Sequence, residues 1–205
     1  MVREQIEARG IAEPCLLAAL LRVPRHLFLP ADEPLLQAEA YTDGPLPIGH
    51  GQTISQPFVV ALMTDALELS GTERVLEVGS GCGYQTAVLA AMAREVHGVE
   101  IVPELARAAA AALTELGVTN ATVTCGDGYR GLPELAAFDA ILLAAAPRAV
   151  PGPLLEQLAD GGRMVLPLGE GEQELVLLRR RGERILEEDL GPVRFVPMTG
   201  EVRGG

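Results

Sequence analysis

The chain has 205 residues, 48% of them hydrophobic, which suits one domain with a large core. Its net charge of −12 disfavours nucleic-acid substrates, which are gripped by basic faces that displace counterions. All 16 basic residues are arginine, which excludes P-loop, Schiff-base and general-base chemistry that rests on lysine.

Residues 2–9 and 13–22 predict two short helices, followed by "VPRHLFLP" and a loop-rich stretch over 31–57. In that stretch "GHGQTISQPF" (49–58) gathers small polar groups just before an apolar helical pattern over 57–69. Ser55 as N-cap and Pro57 in the first turn account for two of these residues. They leave Gly49, Gly51, Gln52 and Thr53 unexplained. Strands and helices then alternate. Strands are expected at 74–79, 95–100, 121–125, 138–144 and 162–168, and helices at 84–93, 103–117 and 151–159. Segments 173–181 and 193–198 complete the sheet, and "RRRGER" (179–184) reads as a solvated hairpin. Such alternation predicts an α/β fold with a mainly parallel, doubly wound sheet, whose ligand lies beyond the carboxyl ends of the strands.

The end of the first strand of this series, "VLEVGSGCGYQ" (75–85), carries Gly79, Gly81 and Gly83 at alternate positions. Glycine allows positive φ and close approach of a ligand to the backbone. The spacing departs from the dinucleotide fingerprint, and Glu77 lies where a pyrophosphate would sit. A ligand with positive charge and no phosphate fits better, and S-adenosylmethionine is such a ligand. Glu100 ends the next strand, where an acid can accept both ribose hydroxyls. Asp127 and Gly128 of "GDGY" follow the third strand, placed to accept from the adenine amino group and to donate to a ring nitrogen. Either acid alone could be a helix cap. The glycine loop with both acids in register favours the cofactor.

These segments resemble the protein-L-isoaspartate O-methyltransferases nearly end to end. The resemblance covers "MVREQIEARGI", "VPRHLFLP", "LPIGHGQTISQP", "VLEVGSGCGYQ", "GDGY", "FDAILLAAAP", "GGRMVLPLG" and "VRFVPMTG". "GHGQTISQP" is its most specific part. Ala144 departs from it, at a position where a hydroxyl residue is expected. The resemblance implies a Rossmann-like methyltransferase domain over 1–205. Residues 1–57 would form a helical, substrate-side extension and 58–205 the cofactor-binding core.

It further implies a repair enzyme that moves a methyl group from S-adenosylmethionine to the free α-carboxylate of L-isoaspartyl residues. Thr53, Ile54 and Ser55 would face the substrate, with Ser55 positioning the carboxylate. Glu77, Gly79, Ser80, Gly81, Gly83, Glu100, Asp127, Gly128 and Thr199 would hold the cofactor, with no metal. The carboxylate is already ionised at neutral pH, so positioning suffices without a strong base. Cys82 reads as a small filler, His26 as a support for the extension, and His50 as either loop or substrate contact. Cys15, Cys82 and Cys125 fit free thiols in a reducing compartment, and the N-terminus lacks a signal-peptide pattern. A cytoplasmic monomer acting on proteins and peptides, with no nucleic-acid or membrane partner, is therefore expected. One alternative is a methyltransferase for a small molecule or RNA, and another is a binding module without turnover. The first leaves "GHGQTISQP" unexplained, and the second would be favoured by loss of Glu100 or Asp127, both of which are present.

Overall fold

Elements form in the computed structural model where hydrophobic periodicity and chain-stopping residues coincide. It describes residues 1–201, so positions 202–205 of the expected 58–205 core lie outside the described residues. The first expected helix is one π-turn (Val2–Ile6) followed by a 3₁₀ turn (Glu7–Arg9). Helix α1 (Pro14–Arg22) starts at Glu13, whose carboxylate accepts from the Leu16 N–H at 2.6 Å.

The stretch expected to be loop holds helix α2 (Pro34–Glu39) and an antiparallel hairpin, β1 (Leu46–Gly49) and β2 (Gln52–Ile54). Its two-residue turn, His50–Gly51, has φ of 53° and 70°, the left-handed pair that a tight hairpin requires. The "GHG" triplet is therefore partly turn chemistry. Helix α3 (Pro57–Ala66) follows at once.

The main sheet has the order β5-β4-β3-β6-β7-β8-β9. Its strands are β3 (Arg74–Val78), β4 (Glu95–Glu100), β5 (Ala121–Cys125), β6 (Phe138–Leu143), β7 (Leu158–Leu168), β8 (Gln173–Arg181) and β9 (Arg184–Val193). Pairs from β5 through β7 are parallel, while β8 and β9 add antiparallel. Helices α4 (Tyr84–Ala90), α5 (Pro103–Glu115) and α6 (Gly152–Gln157) make the crossovers.

Successive residues of β3 and β6 serve opposite faces. Leu76, Val78, Ile141 and Leu143 pack with Leu154 of α6. Val75, Ala140 and Leu142 pack with Met63 of α3, Leu67 just past its end, and Leu89 of α4. Helix α5 shows how local sequence sets an element. Pro103 opens it, Leu105, Ala109 and Leu113 form its buried stripe, and Gly117 at φ 68° closes it, with the Val118 N–H donating to Leu113 O at 2.9 Å.

The extension docks on the glycine-loop side of the core. The Arg25 guanidinium is fully buried, donates from Nε to Ala40 O at 2.7 Å, and lies over the Tyr84 ring at 4.9 Å. Phe28 meets the same ring edge-on. His26 bonds the Tyr41 hydroxyl at 2.7 Å, inside the extension. Among the described residues, no helix is long and apolar enough to cross a membrane.

Two boundaries differ from the sequence expectation. Strand β7 begins at Leu158 instead of 162. Between its Leu158 and Arg163 pairings it carries extra residues opposite β6, and Gly161 and Gly162 fit that bulge. The last strand is not 193–198 but β9, whose acidic run Glu187–Asp189 hid it and now guards the sheet edge. Residues 194–198 form a strap instead. Pro197 has no N–H to give to a ladder, and a single parallel bridge joins it to Ala146. The hairpin expected at 179–184 is present, with Arg181 opposite Arg184.

The Gln173 side chain holds the strap by both its groups. It donates to Phe195 O at 3.1 Å and accepts from the Phe195 N–H at 2.7 Å. Gln173→Ala should cost roughly 1–3 kcal/mol, lowering the melting temperature by about 2–12 °C for a chain of this size. Calorimetric melting checks this; an unchanged melting temperature would mean that the strap is held by its other contacts.

Candidate active site

The parallel strands end at a cavity of about 480 Å³. It lies where the chain turns from β3 to β4 on one side and β6 on the other, the switch point of the sheet. Its floor is the end of β3 and the loop that follows, Val78 to Cys82. Val99, Glu100, Ile101 and Gly128 form one wall, and Ala144 and Ala145 the opposite one. Residues Gln52 to Gln56, with Val59 and Val60 of α3, close the side nearest the extension. The end of β9 and the strap, Pro192 to Thr199, form the remaining wall.

Backbone geometry sets the loop. The Gly79 N–H donates to Val99 O at 2.8 Å, and the Gly81 N–H to the Glu100 carboxylate at 2.8 Å. All three loop glycines have positive φ. A Cβ on Gly81 would stand 3.2 Å from Ile48, and one on Gly83 would stand 3.0 Å from the Ala109 Cβ. Gly83 therefore fixes how closely α4 approaches α5, and it lies behind the cavity surface.

Glu100 is buried. Its other oxygen accepts from the Val102 N–H at 2.8 Å, so each oxygen keeps a lone pair for a ligand. Asp127 does not line the cavity. Its oxygens accept from Tyr129 N–H at 3.0 Å and Glu201 N–H at 2.8 Å, which ties the end of the strap to the loop after β5. Gly128 and Thr199 do line it.

Glu77 lies under the loop, fully buried. Ser80 and Thr86 hydroxyls both donate to its Oε2, while Oε1 has no partner among the described residues. Burial, and secondarily the nearby Glu100, push its carboxyl up to about 7, against the pull of the two hydroxyls. The Cys82 thiol lines the cavity but burial pushes it up to about 11, as expected of a filler and not of a nucleophile.

Thr53, Ile54 and Ser55 all face the cavity. Ser55 is not the N-cap of α3. That place belongs to Gln56, which makes no side-chain cap bond and instead reaches Asp43 Oδ1 at 2.9 Å. Asp43 also accepts from Arg9 at 3.3 Å, and the Arg9 guanidinium stacks 3.3 Å from the Phe58 ring centroid in the first turn of α3. This surface ring of contacts brackets the hydroxyl segment, and no local pattern in the sequence announces it. The first-turn N–H groups of α3 have no acceptor within the helix and carry its positive dipole end, suited to an anion. His50 stays in the hairpin turn, outside the cavity lining.

The cavity therefore has two ends. One offers an acid and open glycine backbone to a hydroxyl-bearing, cationic molecule, and the other offers hydroxyls and a helix N-terminus to a carboxylate. An S-adenosylmethionine-shaped ligand fits the first end, given the acceptor lone pairs of Glu100 and the bare backbone of Gly79 and Gly81. No group of three or more His, Cys, Asp or Glu side chains able to hold a metal exists among the described residues. Gly83→Ala keeps the loop's hydrogen-bonding groups but forces a left-handed alanine against Ala109, and should cost roughly 2–5 kcal/mol. Denaturant titration reads this directly; an unshifted midpoint would contradict the close α4–α5 contact.

Comparison with known proteins agrees with this geometry. The family model described as protein-L-isoaspartate(D-aspartate) O-methyltransferase matches residues 1–203. A protein-L-isoaspartate O-methyltransferase from Anaeromyxobacter dehalogenans is 59% identical over 194 residues, covering 93% of this chain and 91% of the relative. Protein-L-isoaspartate O-methyltransferase 2 from Shewanella sediminis is 54% identical, covering 98% of this chain and 82% of the relative. A Plasmodium falciparum chain assigned as a protein-L-isoaspartate O-methyltransferase, solved in complex with S-adenosyl-L-homocysteine, superposes with a TM-score of 0.81 at 27% identity, covering 97% of this chain and 96% of that one. With a family match over nearly its whole length and relatives above half identity, the chain belongs to the protein-L-isoaspartate(D-aspartate) O-methyltransferase family, S-adenosylmethionine-dependent enzymes that methylate isoaspartyl residues in protein repair.

Proposed function

We propose that the two ends of the cavity divide the family's reaction between them, with the carboxylate of an L-isoaspartyl residue held by Thr53, Ile54 and Ser55. The observation that carries this is the continuity of one cavity from the glycine loop to the hydroxyl segment. S-adenosylmethionine, when bound, supplies the methyl group on a positively charged sulfur. Glu100 accepts the ribose hydroxyls, and Gly79, Ser80 and Gly81 line the methionine side. Gly128 donates to the adenine ring, and Asp127, outside the cavity lining but adjacent to Gly128, accepts from an adenine amino group that reaches past the lining, with lone pairs left over from its two backbone bonds. Thr199 closes the adenine side from the strap. Glu77 and Gly83 act from behind the loop, through charge and helix position.

At the other end, Ser55 donates to a carboxylate that is already ionised at neutral pH. Direct displacement needs the carboxylate oxygen in line with the methyl carbon, and fixed donors achieve that alignment. Ile54 is buried and helps exclude water. Ser55 is a positioning group and not a nucleophile, since a serine ester would add a step without removing a barrier. The same reading has the enzyme acting as a cytoplasmic monomer on proteins and peptides, without nucleic-acid or membrane partners. The free Cys15, Cys82 and Cys125 support the reducing compartment, and the net charge of −12 supports the absence of a nucleic-acid partner. A small molecule or RNA as methyl acceptor would leave the hydroxyl segment without a role.

Paired peptides that differ only in carrying L-isoaspartate or normal aspartate test the substrate. Labelled methyl groups should enter the isoaspartyl peptide alone, as a base-labile ester. Equal labelling of both, or labelling of neither, would reject the reading. Ser55→Ala should lower the rate at saturating cofactor by roughly 10- to 150-fold, the loss of one charge-assisted hydrogen bond. Its cofactor affinity should not change. A loss beyond about 10⁴-fold in a folded variant is the mark of an obligatory nucleophile and would contradict the positioning role.

A further inference from the structure

Glu77 is a carboxyl group placed where it is expensive to ionise. Alternation along β3 sends it to the α4 face, away from the cavity surface, and it is fully buried. Two neutral hydroxyls satisfy one of its oxygens, from Ser80 in the loop and Thr86 on α4, and the other oxygen has no partner among the described residues. From β4 it feels a like charge, Glu100. The other titratable group beside it is the Cys82 thiol of the loop, neutral at physiological pH because burial pushes it up. On β6 it stands opposite Leu142, and on β4 opposite Gly98, neither of which carries charge. Among the described residues no cation pairs with it. Arg25 lies against Tyr84, Arg74 of β3 pairs with Glu95, and Arg194 is exposed on the strap.

The methyl donor and its product differ by one charge. Both carry an ammonium and a carboxylate, and only the donor carries the sulfonium. We propose that Glu77 is the residue by which the site distinguishes the cationic methyl donor from its neutral product, releasing a proton to solvent when the donor binds and recovering one after the methyl group has left. The inference rests on the proposed placement of S-adenosylmethionine over the glycine loop.

The proton balance follows from the charges. The empty site holds Glu77 largely as the neutral acid near pH 6 and about half so at pH 7, because burial raises its pKa to about 7. A bound sulfonium favours the carboxylate and so lowers that pKa. Lowering the pKa of an acid on binding releases a proton, so donor affinity rises with pH through this window. Once the methyl group moves to the substrate carboxylate, the sulfonium is gone and Glu77 returns to the neutral acid. The charge that drew the donor in is then no longer present to hold the product, whose own affinity stays flat with pH apart from the titration of its amine.

Calorimetric titration of the full chain with S-adenosylmethionine and with S-adenosylhomocysteine, at about pH 6 and about pH 7.5, reads this without turnover. For a Glu77 pKa lowered by about 1.5 on binding, the donor-to-product affinity ratio should rise about six-fold across that range. Buffers of different ionisation enthalpy should report protons released with the donor and few with the product. In Glu77→Gln, which leaves the ligands' own amines in place as a control, the rise in ratio should be lost. Thr86→Val deletes one donor to the carboxylate, so it should move the rise to higher pH, and it serves if the glutamine variant does not fold. A ratio flat with pH in the natural protein, or a rise that persists in Glu77→Gln, overturns the inference. Failure to bind either ligand at any pH would instead overturn the cofactor placement beneath it.

Discussion

The site depends on one short contact, the bond from the Gly81 N–H to the Glu100 carboxylate. It joins the loop after β3 to the end of β4, beside the backbone bond from Gly79 to Val99. Two demands meet there. The loop must bend sharply with bare backbone facing the cavity, which only positive-φ glycines allow, and a buried carboxylate must be satisfied without a cation. Backbone N–H groups of Gly81 and Val102 meet the second demand while leaving lone pairs free. The glycine-loop end of the cavity is thus preorganised by the same bonds that make Glu100 tolerable in the interior.

The acceptor end is organised differently. It stands on a hairpin and a helix start, braced from outside by Asp43, Gln56 and Arg9. These contacts are partly exposed, so each contributes modestly to stability. Their consequence is geometric. They fix the entry of α3, and with it the direction of its N-terminal dipole and the position of the hydroxyl segment. The strap supplies the fourth wall through Gln173 and Ala146, so the cavity is assembled from parts distant in sequence.

Much of this was legible in the chain itself. Buried parallel strands such as Phe138–Leu143 are near-continuous apolar runs, and α5 carries its start and stop signals in Pro103 and Gly117. The glycine loop and Glu100 lie next to strand ends, where register places them in the cavity. What failed was of another kind. Strand β9 is polar because it is an edge, so its pattern is that of a solvated segment. The strap looked like a strand because "VRFVPM" has strand composition, but two side-chain bonds from Gln173 and a proline settle its conformation. Ser55 had the identity of a cap, yet the chain turns one residue later, at Gln56. Asp127 followed the third strand as expected, but the bond it makes to Glu201 joins residues far apart in sequence and leaves no local trace.

The central claim is spatial: one cavity holds the methyl donor over the glycine loop and the isoaspartyl carboxylate against Ser55 and the start of α3. A crystal structure of the protein with S-adenosylhomocysteine and an L-isoaspartyl peptide measures that arrangement directly. The account predicts the ribose hydroxyls on Glu100, and the peptide's free α-carboxylate within hydrogen-bonding distance of Ser55 Oγ and facing the product sulfur. A carboxylate bound elsewhere, with Ser55 turned away from the peptide, would contradict it.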